Sequence, residues 1–247
     1  MVWHDLECGG YAQDRSLWRA LAAKHGDPIL DVGAGTGRVA LDLARLGHRV
    51  TALDRDPALL AELSERAHRA GCSPVRTVLA DARSFELGCR FALCVVPMQT
   101  IQLLGGPGGR REFLQCARAQ LRAEGVLAVA IAEALEPYRV PEGSPYPPAD
   151  VCELDGFVYS SQPIAIRIDR GGFVLERRRE TTPAVPVEPL VSVDGARAVE
   201  HDLILLDRLS AEQLEREALG TGMSLAGRLE IPATRDHVGS TVVMLHS

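Results

Sequence analysis

The chain has 247 residues, 46% of them hydrophobic and 24% charged, and a formal net charge of −6 at pH 7. That length supports one large domain with a substantial core, and the negative field argues against a nucleic-acid partner. Lys24 is the single lysine, and the arginines are interleaved with Asp and Glu instead of forming a basic stripe. The six cysteines form no CxxC pair, and no 18-residue apolar run or signal peptide is present. The expectation is a cytoplasmic protein with no membrane partner, metal or disulfide framework.

Residues 16–24 read as a short helix with Leu17, Trp18, Leu21 and Ala22 on its inner face. Residues 29–32 are a short apolar run of the kind that forms a central parallel strand. The turn Gly33-Ala34-Gly35-Thr36-Gly37 follows, then a helical pattern to Leu46 that Gly47 stops. A second strand covers 49–53. Asp56-Pro57 starts a helix, with Asp as the cap and Pro in the first turn where its missing N–H costs nothing. Strands over 75–79 and 91–96, a helix over 110–122 and a fifth strand over 126–132 complete five rounds of strand then helix. The fold class is therefore α/β, with a doubly wound parallel sheet.

From about residue 134 the pattern changes. Residues 136–148 hold five prolines and read as a loop, and 157–168 with 173–181 read as a β-hairpin around Arg170-Gly171-Gly172. Residues 183–195 should turn repeatedly, and 198–207 form another strand. Arg177-Arg178-Arg179, flanked by Glu176 and Glu180, reads as a solvated strand face, with contact to an anionic substrate as the alternative. Ser210 and Gln213 make a capping box, and strands over 225–231 and 241–245 close the chain. We take 1–247 as one domain with a β-rich insertion or cap at 134–208, on the sheet's carboxyl edge where ligands bind.

Three glycines in five residues are costly unless the backbone must turn sharply or let a ligand approach. A dinucleotide fingerprint is G-x-G-x-x-G/A; here Arg38 stands where its last small residue belongs, which fits NAD poorly. No P-loop G-K-[ST] is present. Asp54, 17 residues after Gly37, sits at the tip of the second strand, where a carboxylate can accept from both ribose hydroxyls. Asp81 ends the third strand, where it or the Ala82 N–H can meet an adenine ring. Asp31 is a carboxylate inside an apolar run. It needs donors, which turn N–H groups, a water or a ligand's ammonium could supply.

With Leu30-Asp31-Val32-Gly33-Ala34-Gly35-Thr36-Gly37, Asp54, Asp81-Ala82, residues 91–99 and Leu121-Arg122-Ala123-Glu124-Gly125-Val126-Leu127, the chain resembles the class I S-adenosylmethionine-dependent methyltransferases, in their small-molecule branch. The likeness covers about residues 11–132. It departs at Glu124, where the family usually has a glycine before Gly125. It implies a Rossmann-like, mostly parallel seven-stranded sheet whose last strand is antiparallel, with residues 208–245 supplying the closing hairpin. It implies S-adenosylmethionine as cofactor. Gly33, Ala34, Gly35 and Gly37 would lie near its methionine part, with Asp31 at the amino acid portion or supporting it. Asp54 would hold the ribose, and Arg55, Asp81 and Ala82 would line the adenine. Val96 to Gln99 would border the sulfonium, and Tyr11 would lie over the cofactor.

Methyl transfer from a sulfonium is an in-line displacement with a neutral leaving group, so placement and exclusion of water supply much of the gain. A base matters only where the acceptor must lose a proton. Candidates are Glu133 at the end of the fifth strand, His201 in the insertion and His237 before the last strand. The expected activity is methylation of a small-molecule acceptor at O or N by a monomer or homodimer. The alternatives are a methyltransferase acting on protein or RNA, a non-catalytic S-adenosylmethionine-binding protein and, remotely, an NAD-dependent oxidoreductase.

Overall fold

The computed structural model describes residues 1–71, 75–141, 143–169, 171–184, 197–234 and 237–247. The chain divides into two compact units: Tyr11–Ala134 with Asp207–Ser247, and Met1–Gly10 with Leu135–Leu206.

The larger unit is built on a seven-stranded sheet. Its strands are β1 (Ile29–Val32), β2 (Val50–Asp54), β3 (Arg76–Leu79), β4 (Phe91–Val96) and β5 (Leu121–Ile131), joined by β11 (Ser224–Ile231) and β12 (Ser240–His246). The order across the sheet is β11-β12-β5-β4-β1-β2-β3. Strands β1 to β5 pair in parallel, and β12 runs antiparallel to both β5 and β11. The connecting helices are α1 (Arg15–His25), α2 (Ala40–Arg45), α3 (Pro57–Ala70), α4 (Gly106–Gln120) and α5 (Ala211–Leu219).

Strand side chains alternate between two faces, and both faces are dry. On one, Leu30, Val32, Cys94, Val96, Leu127 and Val129 pack with Phe113 and Leu114 of α4 and Leu214 of α5. On the other, Ile29, Leu93, Val95, Val126 and Ala128 pack with Trp18 and Leu21 of α1, Leu43 of α2 and Leu63 of α3. This two-sided burial explains why the strands read as continuous apolar runs.

Local signals place the helix ends. Asp56 Oδ1 accepts from Ala58 N (2.8 Å) and Leu59 N (3.3 Å), and Gly71 closes α3 with φ +56°. Ser210 Oγ accepts from Gln213 N at 3.2 Å at the start of α5. Several boundaries differ from expectation, among them the helix expected over 110–122, which begins at Gly106, and two have a local cause. Helix α2 begins only at Ala40, because residues 35–39 are consumed by the glycine turn. Strand β5 begins at Leu121, five residues early, with a bulge opposite Phe91 and Leu93. At this bulge Glu124 takes φ +62°, the conformation that glycine adopts without strain.

The smaller unit contains a five-stranded sheet. Strands β6 (Tyr138–Arg139), β8 (Phe157–Asp169), β9 (Gly172–Pro183) and β10 (Ala198–Asp207) lie in the order β10-β9-β8-β6, and β7 (Asp150–Leu154) also pairs with β8. The long β8–β9 hairpin agrees with the sequence reading; its tip residue Arg170, and the expected turns at 185–195, lie outside the described residues. Residues 1–10 join this unit, which their sequence did not announce. Glu7 accepts from Ser161 Oγ (2.7 Å) and from Arg179 Nε and Nη2 (2.8 and 2.9 Å), and lies 3.3 Å from Arg177 Nε. The triple-arginine run is therefore not a solvated face. Arg177 is buried against Glu7, Ser161 and Asp150, and Arg178 pairs with Glu180.

Candidate functional site

The chain passes from β1 to β2 and β3 on one side of the sheet, then returns to lay β4 against β1 and β5 beyond it. The reversal between β1 and β4 opens a crevice at the strands' carboxyl ends, the place where doubly wound sheets hold ligands. The glycine turn leaves β1 there, and residues 97–99 leave β4 beside it.

The turn is tied to β2. Gly33 N and Ala34 N both bond to Leu53 O, at 2.8 and 3.1 Å. Asp54 Oδ2 accepts from Gly35 N at 2.8 Å, and its Oδ1 accepts from Asp56 N at 3.0 Å. Asp54 thus pins the turn while each oxygen keeps a lone pair for a further donor. Gly33, Gly35 and Gly37 all have positive φ, at +70°, +54° and +94°. A β-carbon on Gly33 would fall 2.5 Å from Thr100 Cγ2, and one on Gly37 would fall 2.8 Å from Leu41 and Leu63. Those two glycines are required by the protein's own packing, a reason the motif alone does not reveal.

Asp31 sits under the turn, 1% exposed, and neither carboxylate oxygen closes a hydrogen bond. Burial pushes its pKa up to about 7; the Arg38 guanidinium and the Ala40 N–H, which approaches the carboxylate without closing a hydrogen bond, oppose this, while Asp54 and Asp14 add to it. An orphaned buried carboxylate is costly alone and complementary to an ammonium group. That is the observation by which the residues fit the amino acid end of S-adenosylmethionine.

Arg38, which the sequence set against NAD, has its own task. It donates to Asp14 Oδ1 (2.5 Å) and Oδ2 (2.7 Å) and to Tyr11 O (3.1 Å), and lies 5.2 Å from the Tyr11 ring centre. Asp14 is fully buried and also accepts from Trp18 Nε1 at 2.7 Å. Tyr11 packs edge-on against His237, with ring centres 5.0 Å apart. The structure thus brings Tyr11 and His237 together and fastens Tyr11 to the glycine turn through Arg38. Nothing in the spacing of Tyr11, Asp14 and Arg38 signalled this; a buried carboxylate facing a lone arginine is visible only after folding.

Asp81 and Ala82 follow β3. Asp81 is clamped by Arg83, with Nη2 at 2.6 Å and Nε at 3.0 Å, and these bonds pull its pKa down to about 2. An adenine amino group would share that carboxylate with Arg83. Beyond Val96, Met98 holds φ +55°, an uncommon conformation for a non-glycine residue and one that gathers at functional turns. Gln99 follows it. Sequence reasoning bounded this turn but did not single out Met98.

Of the three candidate bases, Glu133 lies just past β5, exposed, with Oε1 accepting from Ala211 N at 2.8 Å. It caps the start of α5 and leaves its second oxygen open. His237 is exposed except for the Tyr11 contact. His201 lies on β10 of the smaller unit, exposed, with Nδ1 2.9 Å from Glu176 Oε1. Among the described residues, no three His, Cys, Asp or Glu are grouped to hold a metal ion. No described helix is long and apolar enough to cross a membrane.

Residues 29–130 match the family model described as "Methyltransferase domain". A probable cobalt-precorrin-6B C(15)-methyltransferase (decarboxylating) of Methanothermobacter thermautotrophicus is 34% identical over 105 residues, 42% of this chain and 51% of that protein. The chain spans about half the length of the curated relatives it matches. Among solved structures, an amino pentose methyltransferase of Micromonospora echinaspora, involved in calicheamicin biosynthesis, superposes with a TM-score of 0.68 at 20% identity. That match covers 99% of this chain and 96% of the other. A sugar N-methyltransferase from a Streptoalloteichus species gives 0.69 at 15% identity, covering 98% and 90%. These two likenesses are of fold, and they extend over both units.

Proposed function

We propose that this chain, whose residues 29–130 match the methyltransferase-domain model, is a class I S-adenosylmethionine-dependent methyltransferase that methylates an oxygen or nitrogen atom of a small molecule. The observation that carries the reading is the orphaned Asp31 carboxylate beneath a turn that Asp54 ties to β2, at the sheet's reversal point.

In this reading S-adenosylmethionine, when bound, supplies a methyl carbon on a sulfonium whose departure leaves a neutral thioether. Asp31 faces the cofactor's ammonium, and the free lone pairs of Asp54 accept from the ribose hydroxyls. Arg55, Asp81 and Ala82 line the adenine. Gly33 to Gly37 and Val96 to Gln99 border the methionyl chain, and Tyr11, held by Arg38, covers it and keeps water out. The open oxygen of Glu133 holds the proton that a hydroxyl or ammonium acceptor must release. His237, against Tyr11, is the second group at this edge. The relatives whose fold matches the chain end to end act on an amino pentose and a sugar, so amino sugars are the first acceptors to test.

The test has two stages. Calorimetry with S-adenosylhomocysteine should show saturable binding that Asp54→Ala weakens. Incubation with methyl-labelled donor and a panel of amino sugars and phenols should then yield a labelled product. Absence of binding removes the reading altogether. Binding without transfer to any acceptor favours a non-catalytic cofactor-binding protein, and label entering protein or RNA redirects the acceptor class.

A further inference from the structure

The carboxyl edge of the seven-stranded sheet absorbs the glycine turn and the acidic residues. The opposite edge carries a feature that methyl transfer does not use. Where β4 and β5 begin and β12 ends, a cleft of about 380 Å³ is lined by Arg90, Arg118 and Arg122 together with Gln115, Ala123 and Thr221. No lining side chain is acidic; the one anionic group there is the main-chain carboxylate of Ser247. None of the three arginines pairs with a carboxylate among the described residues, in a chain whose net charge is −6.

Each guanidinium is held by the main chain. Arg90 Nη1 donates to Ala119 O (2.6 Å) and Leu121 O (3.2 Å), Arg118 Nη1 to Thr221 O (3.0 Å), and Arg122 Nη1 to Asp27 O (2.9 Å). Arg118 also lies against Gly222, where a β-carbon would come within 3.2 Å of its Cζ and Nη1. Capping of the last carbonyls of α4 explains the Nη1 bonds of Arg90. It leaves unexplained why three such groups surround one cleft, each with its Nε and Nη2 donors unused by the described residues. Guanidiniums clipped at one nitrogen are pre-oriented and lose little freedom on gripping an anion, and their planar fork matches phosphate oxygens.

We propose that this cleft is a binding site for a small phosphate-bearing anion. It lies at the far end of the sheet from the glycine turn, about 20 Å away along the six residues of β4, so an occupant there is no methyl acceptor. The inference does not rest on the function proposed above.

The test uses inorganic pyrophosphate as probe, titrated calorimetrically into the full chain at low salt. Binding should be saturable and should weaken as salt is raised. Arg90, Arg118 and Arg122 also support the backbone, so the decisive variant is Ala123→Glu, which adds a carboxylate to the cleft and removes no arginine. It should weaken pyrophosphate at least about tenfold with the thermal transition unchanged. Arg118→Gln, which also gives up the bond to Thr221 O, should weaken pyrophosphate as well. No saturable binding, or binding unaltered by Ala123→Glu, overturns the proposal. So does binding that is lost on changing Gly35 or Asp54, since the anion would then sit at the glycine turn.

Discussion

Replacing Asp31 with Asn isolates the cost of a buried charge. The folded carboxyl titrates at about 7, against an ordinary value of 3.8. Between those values the folded protein keeps a proton that the unfolded chain has lost. Stability therefore falls as pH rises through the window, by about 1.4 kcal/mol per unit, and the loss is complete once the folded carboxyl has ionised. From about pH 5 to about pH 8 this one group should remove roughly 3 kcal/mol from the ligand-free protein. Glu7 and Asp42 have pKa values shifted down: for Glu7 the pull of Arg179, Ser161 and Arg177 outweighs a large burial cost, and for Asp42 the bond from Arg19 leads. These groups titrate in both proteins, so the readout is wild type minus variant. A buried Asn has its own unsatisfied N–H groups, costing about 1–3 kcal/mol at every pH, and that constant cancels from the slope. Urea unfolding followed by fluorescence of the buried Trp18 gives the numbers. The variant should gain roughly 3 kcal/mol on the wild type across the interval. A swing under about 1 kcal/mol refutes the picture of an unpartnered carboxylate. An ammonium ligand should cancel the penalty, so S-adenosylhomocysteine should bind wild type more tightly as pH rises to about 7, and Asp31→Asn with a flat profile.

Asp54→Ala removes a charged acceptor from the turn and from the ribose. S-adenosylhomocysteine should bind about 10- to 150-fold more weakly by calorimetry, from a loss of about 1.5–3 kcal/mol, and unchanged affinity in a folded variant would remove the ribose assignment. Glu133→Gln keeps an oxygen to cap Ala211 N but cannot take a proton; turnover should fall about 10²- to 10⁴-fold with donor affinity intact, and full turnover leaves Glu133 as a cap alone. Gly33→Ala should cost about 2–4 kcal/mol in chemical denaturation, from positive φ and the clash with Thr100, with part of it recovered in the Thr100→Ala background. Glu124→Gly should stabilise the protein by about 1 kcal/mol, because φ +62° is free for glycine; no gain would mean that the side chain offsets the strain.

The sheet was legible because its strands are buried on both faces and its helix ends carry local signals, Asp56 before Pro57 and Ser210 before Gln213. The turn and its acidic partner at Asp54 were legible because their spacing is set by one strand-turn-helix-strand unit. The reach of Asp54 to Gly35, the clamp of Arg83 on Asp81 and the Asp14–Arg38 pair were not, since each depends on side-chain direction or on segments meeting across the fold. Arg177 to Arg179 were misread for the same reason. Their alternation between glutamates fits a solvated strand, and it takes Glu7, more than 150 residues away, together with Ser161 and Asp150 to make Arg177 interior.

That last contact has a consequence for how the molecule is made. Glu7 precedes every residue of the larger unit in synthesis, yet its partners Ser161, Arg177 and Arg179 emerge only after residues 11–134. Until they do, residues 1–10 have no surface to settle on, while β1 to β5 can already assemble. The smaller unit is therefore closed by a segment made before the whole of the larger unit, across a loop whose closure entropy is lost late. Its closure can come only after the segment carrying β1 to β5 has been synthesised, and it does not wait for β11 and β12.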